Sequence, residues 1–165
     1  MCEIIVIAHN IRSTHNVGSI FRTAEGFGVS RIILSGYTPY PQVIDDTRLP
    51  HLSRKITEQI HKTALGAEEL VSFEYQPFVD LVDLKSQDYR IVGLEQADRS
   101  VSLGDYTPPH KVALLLGEEV EGIPSELLEQ CEDIIEIPMH GQKESFNVSV
   151  AAGIAIYSLK ESHGN

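Results

Sequence analysis

Residues 144–149, Glu144-Ser145-Phe146-Asn147-Val148-Ser149, set hydroxyl, amide and carboxylate groups around two apolar residues just before a strongly apolar stretch. A helix start needs one capping side chain, so Ser145, Asn147 and Ser149 together point to hydrogen-bonding chemistry beyond capping. Ser145 does not read as a hydrolase nucleophile: no Gly-x-Ser-x-Gly elbow surrounds it, and His140 has no designated acidic partner. Pro138, Met139 and Gly141 precede it as a rigid-then-flexible turn.

Gly117-Glu118-Glu119-Val120-Glu121-Gly122 follows an apolar run. A pyrophosphate is cradled by backbone amides only where no fixed negative charge competes, and three glutamates compete here; the GxGxxG spacing and the P-loop lysine are also missing. Gly117 and Gly122 let main chain approach a flat, neutral or cationic ligand, and Glu119 can accept hydrogen bonds or orient an arginine. The alternative is a surface turn with solvated acids. Near the start, Asn16, Gly18 and Arg22 fall on the first turns of a helix, with Gly18 and Arg22 on one face. Asn16 can serve as the N-cap; Arg22 lies among core-like Ile20, Phe21 and Ala24, either close to the sheet or snorkelling from it.

The elements that must carry these groups alternate. Apolar, β-branched Glu3–Ala8 reads as a buried parallel strand, and Val17, Ile20, Phe21, Ala24 and Phe27 recur at helical spacing. Further strands are expected at Arg31–Leu34, Leu70–Glu74, Arg90–Leu94, Lys111–Leu116 and Asp133–Ile137. Helices are expected at Arg54–Leu65, Phe78–Leu84, Ser125–Gln130 after a Pro124 at N1, and Ser145–Leu159. A long loop spans Gly36–Pro50. The pattern predicts an α/β fold with an open, mainly parallel sheet flanked by helices. The last helix is apolar on two faces, Val148, Ala151, Ala152 and Ala155 on one and Val150, Ile154 and Tyr157 on the other; the second face predicts a dimer interface, with complete burial as the alternative.

At 165 residues the chain fits one domain, ordered except for a Glu161–Asn165 tail. Thirteen Lys plus Arg against 24 Asp plus Glu give a net charge of -11, which opposes a large basic surface, so any RNA must be met by a local patch. The candidate is Arg48, Arg54, Lys55 and Lys62, with a solvated helix face as the alternative. Cys2 and Cys131 are too few for a zinc knuckle or a disulfide framework, no metal is expected, and a reducing cytoplasm is the natural reading. The acidic start and the lack of 18 consecutive apolar residues predict neither export nor membrane insertion.

Taken in order, Asn16, Gly18 and Arg22 in Asn-x-Gly-x-x-x-Arg, Gly117, Glu119 and Gly122 in Gly-x-Glu-x-x-Gly, and Ile137 to Ser149 in Ile-Pro-Met-x-Gly through Ser-x-Asn-Val-Ser resemble the SpoU or TrmH-like branch of the SPOUT superfamily of RNA ribose methyltransferases, over nearly the whole chain. Phe146 stands where that pattern more usually has Leu. The resemblance implies a SPOUT domain over 1–165 with a C-terminal deep trefoil knot at about 90–160, a topology that general folding rules would have excluded. It implies S-adenosylmethionine in the knot, with Leu94, Gly117, Gly122, Ile137, Met139, Ser145 and Phe146 as the cofactor pocket. It implies a homodimer through the C-terminal helix, with Arg22 serving its own pocket or its partner's.

The reaction implied is attack of an RNA ribose 2′-hydroxyl on the sulfonium methyl, where approach and alignment are the main demands. Arg22, Asn16, Glu119, Ser145 and Asn147 are the catalytic set by analogy. A guanidinium pKa above about 12 suits Arg22 to orientation and electrostatics rather than to proton abstraction. Substrate is expected to be tRNA or rRNA, tRNA favoured by a domain without accessory modules, with Tyr37 and Tyr40 able to stack on a splayed nucleotide. The alternatives are a base methyltransferase of the same superfamily and a non-catalytic RNA-binding or assembly protein; the acidic glycine loop argues against a nucleotide-cofactor oxidoreductase.

Overall fold

Every strand pairing in the sheet is parallel, and the strands inside it are buried on both faces and read as runs of Ile, Val and Leu rather than an alternation, while the two edge strands are only partly buried. The computed structural model describes residues 2–162. Its strands are β1 (Glu3–His9), β2 (Arg31–Ser35), β3 (Phe73–Gln76), β4 (Arg90–Leu94), β5 (Val101–Ser102), β6 (Lys111–Leu116) and β7 (Asp133–Glu136). They lie in the order β3-β2-β1-β6-β4-β7-β5. The helices are α1 (Thr14–Gly26), α2 (Pro50–Ala64), α3 (Ala67–Leu70), α4 (Leu81–Ser86), α5 (Ser125–Leu128) and α6 (Val148–Glu161).

Alternate residues of the strands feed two cores. Ile4, Val6, Ala8, Val112, Leu114 and Leu116 meet α1, α2 and α6 on one face. Ile5, Ile7, Ala113 and Leu115 meet α4 and the segment 123–131 on the other. Phe21 is fully buried and sets its ring edge against Phe73 at 5.5 Å, a contact of about 1 kcal/mol that holds α1 to the β3 end of the sheet. Gly18 serves the same packing: a Cβ there would sit 2.3 Å from the Ile60 carbonyl oxygen, so its place in the motif is explained by the close crossing of α1 and α2.

Several boundaries differ from the sequence expectation. Helix α2 starts four residues early, with Pro50 in its first turn, where a missing N–H costs nothing. The strand expected at Leu70–Glu74 begins only at Phe73, because Leu65 and Gly66 turn left-handed and restart the chain as α3. Asp80 caps α4 by accepting from Asp83 N, which shifts that helix from Phe78–Leu84 to Leu81–Ser86. Pro124 stands at the cap of α5 rather than inside it. Asn147 caps α6, accepting from Ser149 N at 2.9 Å, so the helix starts at Val148 and not at Ser145. β5 is two residues long, too short to leave a periodic signal. Of the tail expected to be disordered, Glu161 closes α6 and Ser162 bonds back to Ser158; 163–165 lie outside the described residues.

Candidate active site

Loops leaving the carboxyl ends of β4, β6 and β7 meet the start of α6 and enclose a cleft of about 280 Å³, where an open α/β sheet generally binds its ligand. Leu94, Leu116, Ile137, Phe146 and Val148 give it apolar surface. Of the sequence-expected pocket residues, Leu94, Gly117, Gly122, Ile137, Ser145 and Phe146 line it. Met139 does not: the turn after Pro138 carries it off the cleft wall, half-buried.

The loop between Gly117 and Gly122 is closed tightly on itself. Glu118 and Gly122 exchange main-chain hydrogen bonds at 3.1 and 2.9 Å. A Cβ on Gly117 would stand 2.3 Å from the Gly122 carbonyl carbon, which is why glycine is required there. Gly122 holds φ at +72°, and Glu95 Oε2 accepts from Ile123 N at 2.9 Å just beyond it. Buried Glu118 accepts from Val120 N at 2.8 Å and from Glu121 N, and lies 3.0 Å from Arg12 Nε. The acid of this loop that does the folding is thus Glu118, whose role the sequence spacing did not reveal.

Glu119 points the other way, into the start of α1. It accepts from Arg12 N at 3.1 Å, Ser13 N at 3.2 Å and Asn16 Nδ2 at 3.2 Å. Burial alone would raise its pKa, but the main-chain donors and Asn16 outweigh it and the carboxyl titrates below its ordinary value. Asn16 is not the N-cap; Ser13 is, accepting from Asn16 N at 3.2 Å, a pairing that Ser followed three residues later by Asn could have signalled. Freed from capping, Asn16 offers Oδ1 to Asn147 Nδ2 at 3.1 Å. Asn16, Glu119 and Asn147 form one hydrogen-bonded chain at the cleft mouth, with Ser145 on the cleft wall; the Gln96 amide, also missed by sequence, ties down the same segment by donating to Glu144 O at 2.7 Å.

Arg22 is elsewhere. It is exposed two turns along α1, in a shallow groove with Ser19, Thr23, Gly26, Phe27, Lys62 and Thr63. Nor do the four expected RNA-binding cations act together. Arg48 is folded inward, bonded to Asp46 and to the carbonyls of Tyr40 and Pro41, with its guanidinium 3.5 Å from the Tyr40 ring centroid. That pairing makes Arg48 a staple of its loop, with which an RNA contact would have to compete. Arg54, Lys55 and Lys62 are exposed on α2.

The SpoU rRNA Methylase family model matches residues 3–157. The chain belongs to this family. It is 31% identical over 160 residues to the tRNA (guanosine(18)-2′-O)-methyltransferase of Aquifex aeolicus, covering 96% of this chain and 69% of that protein. It is 36% identical over 157 residues to the 23S rRNA (adenosine(1067)-2′-O)-methyltransferase of Streptomyces azureus, covering 93% and 52%. Among solved structures, the AdoMet-bound rRNA methyltransferase from Sinorhizobium meliloti superposes with a TM-score of 0.75 at 25% identity, covering 98% of this chain and 56% of that one. Against its curated SpoU relatives the chain spans from 9% to 69% of their length.

Proposed function

We propose that the chain is an S-adenosylmethionine-dependent RNA methyltransferase acting on a ribose 2′-hydroxyl of tRNA or rRNA, with tRNA favoured. The Asn147–Asn16–Glu119 chain at the mouth of a cleft lined by apolar side chains and carboxylates, in a member of this family, carries the reading. The cleft fits the cofactor: Leu94, Leu116, Ile137 and Phe146 suit an adenosine, and Glu95, Glu118, Glu121 and Glu136 suit a cation and would repel a pyrophosphate. When bound, S-adenosylmethionine supplies a methyl group already activated by its sulfonium charge.

The remaining task is alignment, and the residues are built for it. Glu119 is occupied by three donors and holds its proton weakly, so it fixes Asn16 and the start of α1 instead of acting as the base. Asn16 in turn fixes the Asn147 amide, whose oxygen caps α6, so the second Nδ2 hydrogen of Asn147 and the Ser145 hydroxyl on the cleft wall are the groups left to hold the ribose.

Arg22 lies outside the cleft of its own chain, so its electrostatic role calls for a second copy. A homodimer through α6 is supported by Val150, Ile154 and Tyr157, which are exposed beside Phe27 in an apolar groove. A deep trefoil knot at about 90–160, in a single domain, is supported by the way the segment after β7 passes Gln96 and the Gly117–Gly122 loop to reach Asn16. The cytoplasm is the compartment that suits such substrates and the free thiols of Cys2 and Cys131.

The test is incubation with methyl-labelled S-adenosylmethionine and separate pools of unmodified tRNA and rRNA, followed by digestion to nucleosides. Label in a 2′-O-methyl nucleoside is expected. Label on a base would replace the reading with a base methyltransferase, and cofactor binding without label in either pool would leave an RNA-binding protein.

A further inference from the structure

An RNA strand approaching the cleft meets the carboxylates of Glu95, Glu121, Glu136 and Glu144, on a chain of net charge -11. A phosphodiester needs a fixed cation at that rim. Arg48 is consumed inside its loop, while Arg22 and Lys62 face a different groove.

Arg12 stands at the rim. Its main-chain N–H is held by Glu119 and its Nε by Glu118, so it is attached at both ends to the loop that lines the cleft. Its side chain is 69% exposed while that of Glu118 is 4% exposed. Glu118 accepts its two main-chain N–H groups at Oε2 and faces Arg12 Nε with Oε1, so the pair holds Arg12 by one nitrogen and leaves the rest of its exposed guanidinium turned to solvent. The Arg12 guanidinium lies 5.8 Å from the centroid of Tyr37.

Tyr37 is 54% exposed and rigidly placed. Its N–H donates to Asn10 Oδ1 at 3.1 Å, in a turn where Asn10 and Gly36 hold φ at 57° and 64°. The other loop tyrosine is unavailable: Tyr40 stacks on Tyr75 at 4.1 Å and on Arg48 at 3.5 Å.

We propose that Arg12 and Tyr37 form an RNA anchor at the cleft rim, Arg12 pairing with a backbone phosphate and Tyr37 stacking on an unpaired base beside it. The proposal rests on the methyltransferase reading. The stack accepts any base and the ion pair any phosphate, so the anchor selects an unstacked loop segment over a duplex and carries no base identity.

The test titrates labelled bulk unmodified tRNA, and in a second arm unmodified rRNA fragments, against wild type, Arg12→Ala, Arg12→Lys, Tyr37→Ala and Tyr37→Phe across a salt series, with S-adenosylmethionine affinity measured in parallel. Arg12→Ala is expected to raise the RNA Kd about tenfold and to lower the slope of log K against log salt by about 0.7 to 1, which Arg12→Lys restores. Tyr37→Ala is expected to raise the Kd about tenfold without changing that slope, and Tyr37→Phe to restore affinity. Arg12→Ala that weakens S-adenosylmethionine binding with an unchanged salt slope would make Arg12 a brace for the glycine loop and overturn the proposal. So would wild-type RNA affinity in Tyr37→Ala. A wild-type protein that binds neither S-adenosylmethionine nor either RNA pool fails earlier, at the methyltransferase reading itself.

Discussion

Asn147 donates its side-chain amide to Asn16 Oδ1 at 3.1 Å across 131 residues of sequence, so the cap of the last helix is bonded to the first turn of the first. The same side chain uses its oxygen to cap α6 through Ser149 N and its nitrogen to reach Asn16. The two duties are separable. Asn147→Asp keeps the capping oxygen but turns the group facing Asn16 Oδ1 into an acceptor. It should melt within about 2 °C of wild type, whereas Asn147→Ala, which loses a cap worth about 1 kcal/mol, should melt about 2–4 °C lower. Both should lose at least about tenfold in methyl transfer, since each removes the donor that aligns the site. Thermal melts alongside single-turnover transfer check this, and an active Asn147→Asp would show that the amide only caps.

Glu119 makes stability depend on pH in a defined direction. Its folded pKa lies below the ordinary 4.5, so the unfolded chain takes up its proton first. The stabilisation is therefore complete above 4.5 and is lost as pH falls through the lower folded value. Glu119→Gln should be less stable at pH 7, because an amide N–H would face main-chain donors, and should lose less on acidification than wild type. Urea unfolding between about pH 3 and 7 measures both. A variant whose curve runs parallel to wild type would mean that Glu119 does not bind its proton differently on folding.

The sheet and the individual polar groups were legible in the sequence to different depths. Strands β1 and β6 announce themselves as unbroken apolar runs because both of their faces are buried. Asn16, Glu119 and Asn147 stood out singly as polar residues at element ends, but their joining depends on β1 lying beside β6, and strand order is not written in any one segment. The inward fold of Arg48 is hidden from the sequence for a similar reason. Its cationic character is local, while the Tyr40–Tyr75 stack that draws it inward needs a residue from β3. Glu118 and Glu119 are neighbours of identical type, and only the turn of the loop decides which braces the loop and which braces α1.

Gly117→Val tests the proposed cofactor pocket apart from the proposed catalytic set. A Cβ at that position collides with main chain of Gly122 and Ile123 at 2.3 and 2.4 Å, so any side chain must open the loop that walls the cleft. Gly117→Val should destabilise the fold by about 1–3 kcal/mol, a melting shift of roughly 2–10 °C, and should weaken S-adenosylmethionine binding by more than about tenfold. Calorimetric titration at a temperature where the variant remains folded reads this directly. Wild-type affinity there would move the cofactor away from this loop.

Arg22 tests the dimer and the catalytic assignment in one experiment. Because it faces a groove shared with Lys62 and Thr63 and not its own cleft, Arg22→Ala should leave cofactor affinity unchanged while lowering transfer by at least about a hundredfold. If the arginine serves the partner's cleft, a mixed dimer of Arg22→Ala and Gly117→Val subunits contains one complete site, made from the intact cleft of the first and the intact arginine of the second. Random association makes half of all dimers mixed with one working site each, so co-expression from two differently tagged genes should restore about a quarter of wild-type activity in the unfractionated pool. Each homodimer alone should be inactive. Failure of the mixed dimer, with both parents folded, would place Arg22 in service of its own chain and would require α1 to move before transfer.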